Sequence, residues 1–158
     1  MTEPKESRLD FYLKTLSLHT IRDTWIKESE NAAKTKLTYQ DYLLKLMENE
    51  VLSKIDRSVN RRIQLAGFPQ IKRLEEFDFS FQPQIDEKLI RELASMNFLS
   101  EAKNVLFLGP PGVGKTHLAI ALGIKAATLR KRVAFYTAET LIRLLISSEV
   151  SGNLLKLL

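Results

Sequence analysis

Val105-Leu-Phe-Leu-Gly-Pro-Pro-Gly-Val-Gly-Lys-Thr116 decides how the rest of this chain is read. Its last eight residues, Gly109–Thr116, fit the pattern G-x-x-x-x-G-K-[ST]. At average composition a random window matches with a probability of roughly 4 in 100,000, or about half a percent over a chain of this length. The flanks tighten the reading. Four apolar residues, Val105–Leu108, run straight into the loop and predict a short strand buried on both faces. A helical pattern leaves the loop, from about Lys115 to Arg130. A bare Gly/Pro turn would explain the glycines but not Lys115. Glycine at 112 and 114 lets the backbone turn with its amides inward, where they bond phosphate oxygens. The helix start adds partial positive charge at the same spot. Lys115 supplies a compact cation for β- and γ-phosphates, and Thr116 a hydroxyl for Mg²⁺. Pro110 and Pro111 stiffen the loop by fixing φ. The expected nucleotide site is Gly109, Pro110, Pro111, Gly112, Val113, Gly114, Lys115 and Thr116, with His117 beside it, and its ligands are ATP and Mg²⁺.

Downstream, Arg132-Val-Ala-Phe-Tyr136 predicts a second strand, and Thr137 caps a helix from Ala138 to about Ser147. A nucleotide-hydrolysing site of this kind also needs an acid at the end of a neighbouring apolar strand. Glu139 lies only 24 residues past Lys115 and is better read as a first-turn helix residue. No arginine finger can be placed either. No catalytic residue is assigned, and the chain is expected to bind nucleotide without efficient hydrolysis. Two strands are marginal even with helices beside them. The α/β unit is therefore expected to be the first part of a longer domain, and to expose an apolar sheet edge.

Upstream, Leu9, Leu13 and Leu16, then Leu18, Ile21 and Trp25, fall at helical spacing and predict helix over 6–34. Thr38 with Asp41 reads as a cap for the next helix. Ile55, Val59 and Ile63 continue the pattern until Gly67 and Pro69 stop it. Residues 51–75 carry six basic and two acidic side chains, the main source of the chain's net charge of +5. Lys54, Arg57 and Arg61 form a ridge nearly opposite the apolar stripe. With Arg62 they are candidate contacts to DNA phosphates, or else an ordinary solvated face. Phe77, Phe79 and Phe81 alternate with polar residues in a stretch read as an extended linker whose rings pack onto something. Ile85, Leu89 and Leu93 mark another short helix. The expected organisation is a helical domain over 1–67, the aromatic linker over 68–84, and the start of a P-loop domain over 85–158.

Composition excludes several classes. The chain has 158 residues and no cysteine, so disulfides and thiolate metal sites are out. Two distant histidines, His19 and His117, argue against a His-built metal site. There is no apolar run of membrane-spanning length and no signal peptide, and a cytoplasmic location is expected.

Several features in order resemble the IstB/DnaC-like family of AAA-plus ATPases, with the transposition helper proteins of insertion sequences as the nearer match. They are the basic stretch Asp56–Arg62, then Leu74-Glu-Glu-Phe-Asp-Phe-Ser-Phe-Gln-Pro83, Leu89–Leu93, Asn104–Ala119 and Arg132–Ala138. The resemblance implies a helical N-terminal domain followed by the first part of a three-layer α/β/α AAA-plus domain, truncated here. It implies an ATP-binding helper for insertion-sequence transposition that assembles as an oligomer on duplex DNA, largely independent of sequence, and acts on a transposase. A non-catalytic nucleotide- or DNA-binding fragment, or a helicase-loader-like protein, is the alternative.

Overall fold

The computed structural model describes residues 5–150. They fall into two compact units, one running to Ser58 and the other beginning at Val59.

The first unit is built on α1 (Lys5–Thr15), α2 (His19–Thr35) and the N-terminal part of α3 (Tyr39–Leu65). The helix expected over 6–34 is broken. The Leu18 N–H bonds Leu13 O at 2.8 Å and the Ser17 N–H bonds Lys14 O at 3.0 Å, with Ser17 at φ 55°. This is a Schellman stop, with serine in the left-handed position usually held by glycine. Its apolar clasp is present, because Leu18 packs against the cluster of Leu13, Ile21 and Leu46, joined by Trp25 and Tyr42. Helical periodicity on both sides of the stop hid it from the sequence, since no Gly or Pro marks the place. Thr38 caps α3 as expected, accepting from the Asp41 N–H at 3.1 Å, and its hydroxyl donates to Asp41 Oδ2 at 2.6 Å.

The second unit is organised around α6 (Lys115–Thr128). Leu118, Ile120, Ala121, Leu122, Ile124, Ala126 and Ala127 of this helix are all buried. Apolar residues cover nearly its whole circumference, the mark of a helix at the centre of a unit. Ile120, Ile124 and Ala127 pack with Ile63, Val59, Phe68, Val133 and Phe135. Leu122 and Ala126 pack with Ala94, Met96, Leu74, Leu93, Phe98 and Phe107. Before it come α4 (Glu87–Leu93) and the one-turn α5 (Asn97–Ser100), and after it α7 (Ala138–Val150). Asp86 caps α4 through the Leu89 N–H at 3.1 Å, and Thr137 caps α7 through the Thr140 N–H at 3.1 Å.

Two further expectations are corrected, and one reading left open is refined. First, no strand forms among the described residues, so the α/β sheet is not present in them. Val105–Leu108 and Arg132–Tyr136 are instead non-helical segments that show one face to the core. Val105 and Phe107 are half-buried, while Leu106 and Leu108 are 82% and 88% exposed. Val133 and Phe135 are likewise half-buried, and Ala134 and Tyr136 exposed. The period of two is that of an extended chain. A strand also needs a ladder of hydrogen bonds to a neighbour. The second segment makes one such backbone bond, Phe135 N–H to Ala66 O at 2.7 Å, which is a single anchor and not a ladder. Second, the linker is not extended throughout but coils into two 3₁₀ turns, Leu74–Glu76 and Phe79–Phe81. Asp78 starts the second by accepting from Ser80 N–H and Oγ at 2.9 and 2.6 Å. Third, one member of the basic ridge is engaged within its own unit. Arg57 donates to Glu50 Oε1 at 3.0 Å and to Thr20 Oγ1 at 3.2 Å.

Candidate nucleotide-binding loop

The loop enters from the half-buried Val105 and Phe107 and leaves into α6, so its position is fixed at both ends by the core of the second unit. Gly112 at φ 84° and Gly114 at φ 89° take the left-handed conformation that makes the reversal possible. Gly114 is the residue before the helix and brings no side-chain cap. The first amide to bond back is that of Leu118, to Gly114 O at 3.0 Å. The N–H groups of Lys115, Thr116 and His117 therefore end the helix without an intrahelical acceptor. At Gly112 a Cβ would meet nothing within 4 Å, so the mouth of the loop is open. These are the groups a phosphate chain requires: outward amides, a dipole end and free space.

Lys115 folds back over the loop, and its Nζ donates to Pro110 O at 2.6 Å. Its stem lies along an apolar groove of about 190 Å³ formed by Ile90, Leu106, Leu108, Val113 and Leu118. One exchangeable carbonyl bond holds the ammonium at the loop, which an anion can replace. Thr116 is exposed on the first turn. Among the described residues no group of three or more His, Asp or Glu gathers to hold a metal ion. Glu139 lies elsewhere in its bonding, with Arg143 one turn on at 2.6 Å.

The other side of the loop is closed by the linker. Phe77 sits against Gly114 so closely that a Cβ there would stand 2.5 Å from Phe77 Cε2. The same ring meets His117 edge-on, with centroids 5.1 Å apart and planes at 86°, and meets Phe79 at 4.8 Å and 64°. His117 Nε2 lies 2.9 Å from Arg73 O, a hydrogen bond that assigns Nε2 the proton. A cleft of about 210 Å³ opens between Phe77, Phe81 and Gln82 on one side and Gly112, Val113 and His117 on the other. The structure thus brings the loop residues and His117 together. It adds Arg73 and Phe77, which sequence reasoning had placed in a linker. The signals were there: an aromatic run of period two, and a histidine just past Thr116. Neither says which ring meets which loop residue. The candidate DNA residues are on α3. Lys54 and Arg61 are exposed, Arg62 is half-buried, and Arg57 is engaged as described.

A family profile described as IstB-like ATP binding protein matches residues 12–158. The chain belongs to that family. Among relatives of this IstB-like chain, a protein of Geobacillus stearothermophilus named as an ATP-binding protein of insertion sequence IS5376 is 37% identical over 96% of the chain and 60% of its own length. A counterpart from Pseudomonas aeruginosa, named for insertion sequence IS21, is 45% identical over 79% of the chain and 47% of its own length. One from Bacillus thuringiensis, named for IS232, is 35% identical over 75% and 48%. The IstB-like chain spans about half the length of the curated relatives it matches. Among its described residues no helix is long and apolar enough to cross a membrane.

Proposed function

We propose that Gly109–Thr116 binds the triphosphate of ATP and that the chain is the nucleotide-binding portion of a helper ATPase for insertion-sequence transposition. One observation carries this reading: the uncapped start of α6, where three amides and the Lys115 ammonium meet at an open loop. The family and the names of the relatives support it. In this reading the amides of Lys115, Thr116 and His117 hold phosphate oxygens, and Lys115 leaves Pro110 O for the β- and γ-phosphates. Thr116 supplies a hydroxyl to Mg²⁺, which when bound screens the phosphate charge. Hydrolysis is proposed to need an acidic group besides Asp78, which lines the cleft beside Gly112 and Gly114 and is engaged with Ser80.

Equilibrium titration of ATP with Mg²⁺ tests the reading. Lys115→Ala is expected to weaken binding about 10- to 100-fold, the equivalent of one charge-assisted hydrogen bond of ~1.5–3 kcal/mol. Equal affinity in the variant would overturn it.

Duplex DNA, a transposase and further copies of the chain are the proposed partners. The exposed Lys54 and Arg61 on α3 support contact with phosphates. Binding is expected to fall with salt, and Lys54→Glu with Arg61→Glu is expected to reduce the slope of log affinity against log salt by about 2. An unchanged slope would remove these residues from the interface.

A further inference from the structure

We propose that Phe77 and His117 are positioning residues that hold the phosphate-binding loop in its ligand-ready curve from outside, without touching the nucleotide base. The inference rests on the nucleotide reading above and assigns a task to the linker within it.

Three observations converge. The Phe77 ring fills the space that any side chain at 114 would take, so it bears directly on the residue that starts α6. The ring is committed on its other sides, to His117 and to Phe79, both edge-on. Phe77 is half-buried at the edge of the cleft, whereas Phe81, at 73% exposure on the same cleft, is the more open ring for a base. His117 then ties the linker down. Its Nε2 donates to the Arg73 carbonyl four residues before Phe77, and its ring stands nearly perpendicular against Phe77 itself. The Glu76 carboxylate accepts from the Arg73 N–H at 3.2 Å and keeps that turn closed. The loop, the first turn of α6 and the linker thus share one clamp, with Gly114 and Arg73 at its two ends.

The clamp acts on the curve of the loop and so on every ligand that uses the amides, with or without a base. The probes are inorganic tripolyphosphate and ATP, each with Mg²⁺, titrated into the full chain and into Phe77→Leu, His117→Ala and His117→Gln. Phe77→Leu and His117→Ala are expected to weaken tripolyphosphate and ATP by the same factor, between about two- and tenfold, matching an aromatic contact. His117→Gln, whose side-chain amide can still donate to Arg73 O, is expected to recover much of the loss. A loss confined to ATP would make Phe77 a base contact and overturn the proposal, as would unchanged affinity for both probes. A second readout needs no ligand. In the proton spectrum of the free chain the Gly114 Hα signals are expected to carry a ring-current displacement from Phe77. It is expected to vanish in Phe77→Leu, shrink in His117→Ala and persist in His117→Gln. Its absence in the unsubstituted chain would overturn the clamp. If Lys115→Ala left tripolyphosphate binding intact, the nucleotide reading would fall, and the Gly114 signals would still judge the clamp.

Discussion

Glu50 shows how one residue can hold a unit of three helices together. It is 2% exposed on α3, yet its carboxylate is fully occupied. Oε2 accepts from the Ile21 N–H at 2.9 Å and Oε1 from Arg57 at 3.0 Å. Leu18, the residue before α2, offers no side-chain cap, so Glu50 caps that helix from across the unit. Burial pushes the Glu50 carboxyl up, but the N–H groups of Ile21 and Thr20 and the Arg57 guanidinium outweigh it and hold the group below its ordinary value of 4.5. A carboxyl held lower in the folded state than in the unfolded one stabilises the fold above the unfolded value. That contribution fades as pH falls through the lower, native value. Glu50→Ala is therefore expected to cost about 2–3 kcal/mol at neutral pH in urea melts. Glu50→Gln is expected to lose part of this, and also the drop in stability that the unsubstituted chain shows on acidification below about pH 4.5. A Gln variant with the same acid sensitivity would show that other carboxylates carry the effect. The same bond has a consequence for the basic ridge: Arg57, though exposed like Lys54 and Arg61, is engaged in holding Glu50.

At the scale of elements, α6 carries a glycine where its own helix would prefer alanine. Gly123 is interior, and an alanine there would ordinarily gain about 1 kcal/mol in propensity. Its missing Cβ is what lets Phe68 approach, since that atom would stand 2.7 Å from Cζ and 2.8 Å from Cε1 of the ring. Phe68 in turn leans on Phe135 at 5.9 Å. Gly123→Ala is expected to be net destabilising by about 1–2 kcal/mol in thermal melts, because overpacking outweighs propensity. Adding Phe68→Leu to it is expected to return part of the loss, which a double-mutant cycle reads directly. A stabilised Gly123→Ala would mean that the ring moves aside freely. The helices with strong local signals, α3, α4, α6 and α7, were legible in the sequence because caps such as Thr38 and Thr137 announce themselves. The loop was legible because its chemistry is written in eight consecutive residues. The stop at Ser17 was not, and the turn after α6 resembles it. There Arg130 takes φ 62° while its N–H and that of Lys131 bond Ala127 O and Ala126 O. Serine and arginine in a left-handed position leave no mark of composition. The linker's coiling was hidden for a related reason: Phe77, Phe79 and Phe81 alternate like a strand, but the bonds Asp78 makes to Ser80 turn the chain before it can extend.

At the scale of the whole molecule, the sheet is where sequence and structure part. Val105–Leu108 is apolar at every position, the pattern of a strand with cover on both faces, and a four-residue run says nothing about what supplies the second cover. In the structure Phe107 packs on the core of α6 and its neighbours, Val105 is half-buried, and Leu106 and Leu108 remain at the surface. The energetic asymmetry between adjacent residues should therefore be large. Phe107→Ala removes a ring from the core around Leu122 and Ala126 and is expected to cost about 3 kcal/mol in urea melts. Leu106→Lys and Leu108→Lys change only exposed side chains and are each expected to shift stability by no more than about 0.5 kcal/mol. They are also expected to lower the binding of a dye that reports apolar surface and to reduce self-association, since an exposed apolar extended segment with unpaired backbone invites pairing between chains. If Leu106→Lys instead unfolded the protein, Leu106 would be buried in solution, and the one-sided packing of Val105–Leu108 would have to be abandoned.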